Sequence, residues 1–169
     1  MQYYSLQKQS LNVDFRAAAI TGQAPDKGLY FPIEIPKYTA AQIENFKTLD
    51  KASLAFEVMR PYVGGTIDDA TLKNICAETI NFDFPLVPIT DTISSLELFH
   101  GPTMAFKDVG ARFMSRCLGY FNRNDKTAKN TVLVATSGDT GGAVASGFLG
   151  VEGVDVIILY PAGKVSDIQ

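Results

Sequence analysis

TVLVATSGDTGGAVASGFLGVEGVDVIILY, residues 131–160, is the stretch whose reading decides the fold. Thr131 to Ala135 is rich in β-branched side chains and reads as a buried strand. It runs into Thr136-Ser137-Gly138-Asp139-Thr140-Gly141-Gly142, a run of small and polar residues that the chain uses for turns. Ala143 to Leu149 then reads as a helix of small residues, and Val154 to Tyr160 as a second strand. A strand, a helix and a strand in that order predict a βαβ unit, so a parallel sheet and an α/β class follow.

The loop Thr136 to Gly142 lies where an open α/β sheet gathers ligands and where the unpaired amides of a helix start face an anion. Its glycines let the backbone approach closely, and the hydroxyls of Thr136, Ser137 and Thr140 add donors. A helix terminus contributes roughly 0.3–1 kcal/mol to a facing negative charge. The spacing is neither GxGxxG nor GxxxxGK[ST], which removes support for a dinucleotide or a P-loop nucleotide. Asp139 would repel a phosphate unless it turns aside. Taken alone, the loop fits a well-capped strand-to-helix turn equally well.

Upstream, Phe106 to Asn122 reads as a helix with Val109, Phe113, Met114, Cys117 and Phe121 on one side, preceded by a strand candidate at Leu96 to Phe99. Phe84-Pro85-Leu86-Val87-Pro88 breaks a run of helical patterns, so a domain boundary is placed there, dividing the chain into 1–84 and 85–169. In the first part Tyr3 to Leu6 and Gly28 to Pro32 read as strands, with Ala24 to Gly28 as the turn into the second. Thr39-Ala40-Ala41-Gln42 is a capping box opening a helix with the stripe Ile43, Phe46 and Leu49. A further helix is expected to bury Leu54, Val58 and Met59 and to stop near Pro61. Thr66-Ile67-Asp68-Asp69 is a second capping signature, followed by Leu72, Ile75, Cys76 and Ile80 at helical spacing.

A chain of 169 residues with 46% apolar residues can bury a core. Its charged residues amount to 20% with a net charge of −3, which offers no basic stripe to nucleic acid or to an anionic membrane. No apolar run spans a bilayer, since Val154 to Tyr160 is short and contains Asp155. A small-molecule partner and a cytoplasmic location are therefore expected. Cys76 and Cys117 fall on apolar helix faces, as reduced structural thiols do. With His100 the single histidine, a His-rich metal site is set aside.

Lys107 stands at the expected start of a helix, after Gly101-Pro102-Thr103 and among Met104, Ala105 and Phe106. A cation is disfavoured near a helix N-terminus, and apolar neighbours strip water from an amine, so both effects favour the neutral, nucleophilic form. The dipole alone is too weak, and burial or a covalent linkage must supply the rest. The plain alternative is a surface lysine paired with Asp108 or reaching back past the helix end.

These residues resemble a known family. LELFHGPTMAFKDVGARF, Leu96 to Phe113, is similar to the segment of threonine synthases that bears their pyridoxal-phosphate (PLP) lysine. YYSL at Tyr3 to Leu6, DKGLYFP at Asp26 to Pro32, ATSGDTGGAVA at Ala135 to Ala145 and ILYPAGKVS at Ile158 to Ser166 resemble the same family in the same order. The resemblance implies an N-terminal α+β segment of threonine-synthase type, followed by the first part of a parallel-sheet PLP domain of fold type II. It implies conversion of O-phospho-L-homoserine and water into L-threonine and phosphate. Lys107 would hold PLP covalently and move protons, with Asp139 beside the cofactor, and Thr136, Ser137, Gly138, Asp139, Thr140 and Gly141 would receive the substrate carboxylate. His100 and Lys164 stand as secondary candidates for shaping the pocket and reaching an anion.

Family enzymes continue well past the position of Gln169, and the groups that grip the PLP phosphate and pyridine nitrogen are expected there. The chain is accordingly expected to be truncated, to bind PLP poorly and to be inactive by itself. Two rivals remain at this point: another fold-type-II enzyme such as threonine dehydratase or cysteine synthase, and a non-catalytic anion-binding module.

Overall fold

The structure, a computed structural model, describes residues 1–123, 129–136 and 138–166. The chain forms two compact units, Met1–Ala77 and Glu78–Gln169. The division falls inside a helix, whereas the boundary read from the sequence lies after Phe84.

In the first unit β1 (Tyr3–Ser5) pairs antiparallel with a strand at Tyr30–Pro32, Tyr3 opposite Pro32 and Ser5 opposite Tyr30. Between them lies α1 (Phe15–Thr21), whose N-cap Asp14 accepts a hydrogen bond from the Ala17 amide, a start signal absent from the sequence reading. The strand at Tyr30–Pro32 is β2. The turn before it is built on Asp26, whose carboxylate accepts from Ser5 Oγ at 2.6 Å and from the amides of Gly28 and Gln9 at 2.9 Å each. Burial pushes that carboxyl upward, but the hydrogen bonds from Ser5, Gly28, Gln9 and Ser10 outweigh it and hold it at about 2.

The helix α2 (Ala40–Phe46) carries both halves of the expected capping box, Thr39 with Gln42. Its expected apolar stripe does not enter the core: Ile43 is 53% exposed, and Phe46 packs edge-on against Tyr38 with ring centroids 5.0 Å apart. The next helix, α3 (Lys51–Val63), ends near Pro61 as expected, with the proline inside its last turn, and buries Phe56 and Val63 in place of the expected Leu54, Val58 and Met59, which are half-buried. Pro61 has no N–H for the Glu57 carbonyl one turn earlier. The Tyr38 hydroxyl donates to that carbonyl at 3.2 Å and lies 3.4 Å from the Val58 carbonyl, so the turn that proline weakens is repaired from outside the helix. The helix α4 (Asp69–Thr79) is capped by Asp68 accepting from the Thr71 amide, not by Thr66, whose hydroxyl donates to the Val63 carbonyl. Leu72, Ile75 and Cys76 are buried as expected, together with Tyr3, Phe56, Val63 and Ile67. Burial pushes the Cys76 thiol up to about 11, which suits a packing role.

The second unit opens with a hairpin of β3 (Leu86–Pro88) against β4 (Ser94–Leu96). The Pro-flanked stretch read as a break is thus half of an antiparallel pair, and the strand expected at Leu96 to Phe99 lies earlier. The long helix α5 (Lys107–Asn122) is found where the periodicity puts it, yet its buried face is Asp108, Ser115, Cys117, Leu118, Phe121 and Asn122. Met114, assigned to the apolar side, is 40% exposed. The face is rotated because its polar members find partners. Asn122 Nδ2 donates to the Gly153 carbonyl at 3.2 Å, and Asn130 Nδ2 donates to Asn122 Oδ1 at 2.8 Å. A buried amide satisfied in this way costs little and fixes the helix end against the next strands.

The expected parallel pair is present: β5 (Asn130–Ala135), α6 (Asp139–Phe148) and β6 (Val154–Leu159), with Thr131 opposite Asp155 and Ala135 opposite Leu159. Neither strand is buried on both faces. Exposure alternates along each, and Leu133, Ile157 and Leu159 stand open at 64%, 49% and 53%. Ile158 points to the other face, where a Cβ added to Gly141 of α6 would lie 3.2 Å from it. A side chain on Gly147 would fall 3.0 Å from the Ala111 backbone, so glycine is what lets α6 close onto α5. No helix among the described residues is long and apolar enough to cross a membrane.

Candidate functional site

Strand β5 ends at Ala135, and the Thr136 amide still reaches the Leu159 carbonyl at 2.9 Å, so the segment leaves the sheet beside the end of β6. The Thr136 hydroxyl accepts from the Gly138 amide at 3.2 Å. Helix α6 begins at once, with the Gly141 amide on the Gly138 carbonyl at 3.0 Å. Asp139, Thr140, Gly141 and Gly142 are therefore its first turn, not the loop the sequence reading made of them. The turn lies close over the strand ends: a Cβ on Gly141 would come 2.7 Å from Thr136 Cγ2, a space that glycine leaves free. Ser137 lies outside the described residues.

Lys107 is the first residue of α5, and its side chain crosses to the start of α6. Its Nζ donates to Asp139 Oδ2 at 2.6 Å and lies 4.8 Å from the centre of the Phe106 ring. Two positions separated by 32 residues in sequence meet here, both at helix N-termini. The hydrogen bond from Lys107 holds the Asp139 carboxyl below the usual carboxylate range. Some desolvation opposes it, while the ammonium charge and the amides of Thr140 and Asp139 reinforce it.

Two expectations are corrected by this geometry. The apolar sequence neighbours of Lys107 do not enclose its amine: Met104 and Phe106 are 72% and 61% exposed, and only Ala105 is buried. The Lys107 side chain is 32% exposed, and its amine contacts a carboxylate instead of an apolar wall. The alternative pairing with Asp108 is also replaced, because Asp108 points inward. Further, the Gly141 and Gly142 amides that an external anion would use already donate to the Gly138 carbonyl, at 3.0 and 3.4 Å.

Asp108 and Thr103 are the residues that sequence reasoning passed over. Asp108 is 1% exposed, and its carboxylate accepts from the Thr103 amide at 3.0 Å and the Thr103 hydroxyl at 2.5 Å. An Asp next to a helix start normally faces solvent or its own helix, so nothing in the sequence marks it as buried. His100 engages Glu97, with Nε2 2.7 Å from Oε2, and stacks on Phe99 with centroids 4.7 Å apart. Lys164 is exposed in the turn after β6, its amide on the Pro161 carbonyl at 3.1 Å.

Residues 2–80 match the family described as "Threonine synthase N terminus". Over the whole chain, a threonine synthase of Buchnera aphidicola subsp. Acyrthosiphon pisum is 39% identical and that of Escherichia coli strain K12 is 37% identical. The chain spans 39% of the length of each of these curated relatives. Among solved structures, a PLP-bound threonine synthase from Brucella melitensis superposes with a TM-score of 0.91 at 37% identity, covering 98% of this chain and 37% of that one. The yeast threonine synthase gives a TM-score of 0.91 at 38% identity, covering 99% of this chain and 37% of its own.

Proposed function

From the relationship of this chain, along its whole length, to the N-terminal portion of threonine synthases, we propose that it carries the lysine-bearing part of a PLP-dependent lyase that converts O-phospho-L-homoserine and water into L-threonine and phosphate. A cytoplasmic location belongs to the same proposal. What supports it most is the meeting of Lys107 Nζ and Asp139 Oδ2 at 2.6 Å, which sets a primary amine beside a turn of glycines and hydroxyls.

The residues present fit the cofactor in their chemistry. Lys107 offers a partly exposed amine that a carbonyl reagent reaches, and its contact with Asp139 puts it at the first turn of α6. When bound, PLP supplies an electron sink that stabilises negative charge on the substrate carbons next to the amino group. Lys107 would hold the cofactor and, when released, hold or pass protons at the α and β carbons. Asp139 accepts a hydrogen bond from the resting amine, and Nζ has to leave that contact before it can act as a nucleophile. The hydroxyls of Thr136 and Thr140 would bind and orient the substrate carboxylate.

Reduction of a PLP-treated sample with borohydride, followed by peptide mapping, tests the assignment. Label concentrated on Lys107 is the expected result, and label spread evenly over the lysines overturns it. Phosphate release from O-phospho-L-homoserine, measured against deamination of L-threonine, separates this chemistry from that of a dehydratase.

A further inference from the structure

Helix α5 starts without the usual fastening. Its N-cap, Phe106, has helical backbone angles and no side-chain hydrogen bond to the first turn. The segment that feeds it is nevertheless held in one path. Asp108, in the first turn, reaches backward to Thr103 and takes both its amide and its hydroxyl. Gly101 lies flat against the same carboxylate: a Cβ there would stand 2.5 Å from Asp108 Oδ2 and 3.0 Å from the Phe82 ring. Between these points Met104 takes a left-handed backbone, φ 56°, which a side chain of its size adopts only where its surroundings enforce it. That turn sends Met104 and Phe106 outward and tucks Ala105 in at 6% exposure. The next residue is Lys107.

From this arrangement we infer that Asp108 is a positioning residue: by clamping Gly101–Thr103 it fixes where α5 begins, and so aims the Lys107 amine at the first turn of α6. The inference rests on the proposed role of Lys107 for its functional meaning, but the clamp itself has its own readout. Asp108 is buried, and its carboxylate accepts from both the amide and the hydroxyl of Thr103. Its effect on chemistry passes through the direction of its neighbour.

The test uses the full chain and three variants, Thr103→Val, Thr103→Ser and Asp108→Asn. Competitive acetylation with acetic anhydride across a pH series, mapped by peptide, reads the reactivity of Lys107 against that of Lys164 without any cofactor. Borohydride trapping of added PLP reads the share of label on Lys107. Thr103→Val is expected to lower that share by roughly fivefold, the change that corresponds to losing one hydrogen bond, and to shift the pH profile of Lys107 acetylation. Thr103→Ser, which keeps the donor, is expected to restore both. A lower melting temperature with wild-type labelling and an unchanged pH profile would mean that the clamp is only structural, and the inference fails. If Asp108→Asn does not fold, Thr103→Val leaves the carboxylate in place and decides the question. Should the wild type put no PLP on Lys107, the proposed function falls, while the acetylation profile still judges the clamp.

Discussion

Lys107 Nζ and Asp139 Oδ2 lie 2.6 Å apart, each residue opening a helix, so the anion that faces the start of α6 is a side chain of that helix itself. The pair satisfies both ends at once. The ammonium escapes the unfavourable end of its own helix dipole by lying against a carboxylate that its partner helix favours.

Asp139→Asn removes the carboxylate charge that Lys107 Nζ contacts at 2.6 Å. Acetylation of Lys107 near pH 8 should rise by roughly two- to fivefold, the range expected for an exposed ion pair. Equal rates in the two proteins would show that the pair does not persist in solution.

The same pair sets a pH dependence. The folded-state carboxyl of Asp139 is depressed, first through its hydrogen bond from Lys107, so the unfolded chain takes up the proton at higher pH. The contribution is complete above the ordinary carboxylate value and is lost as pH falls through the depressed one. Asp26 behaves in the same sense over a wider window, from the ordinary 3.8 down to about 2. Thermal unfolding followed between pH 5 and pH 2, at roughly half-unit steps, should fall more steeply for the wild type than for Asp26→Asn. Parallel curves would count against the Asp26 turn.

Tyr38→Phe should cost about 0.5–1.5 kcal/mol, because the Glu57 carbonyl that Pro61 leaves without a helical donor loses its substitute. In a Pro61→Ala background the backbone amide regained at that position supplies the donor, and the cost should shrink toward zero. A double-mutant cycle on denaturant unfolding measures the difference, and additive losses would reject the repair.

Gly147→Val should destabilise by about 1–3 kcal/mol, since a Cβ there meets the Ala111 backbone at 3.0 Å and backbone cannot yield as a flexible side chain does. Gly142→Ala in the same helix, with open space around the added Cβ, should be neutral or stabilising by up to about 1 kcal/mol. Melting curves of the two variants check the contrast.

Much of the architecture was legible because its signals are local. The Thr39–Gln42 capping box, the periodicity behind α5 and the β-branched runs of β5 and β6 each act within a turn or a strand, and each element is found. The failures share a cause as well. The stripe of α3 is misjudged because Phe56 and Val63 are buried in place of Leu54, Val58 and Met59, and α5 buries polar residues because Asn130 and Gly153 satisfy Asn122. Periodicity counts apolar residues and has no knowledge of such partners.

The sequence by itself determined which residues are available for chemistry: a lysine at a helix start, a turn of glycines and hydroxyls, and a parallel strand pair to set them on. Their relation was decided by the tertiary structure alone. Whether the amine of Lys107 faces apolar neighbours or a carboxylate depends on the left-handed turn at Met104 and on the close approach that glycine permits between α5 and α6. The physical reason is range. Propensity and capping act over a few residues, whereas a hydrogen bond between positions 107 and 139 exists only once the packing of two helices has brought their ends together.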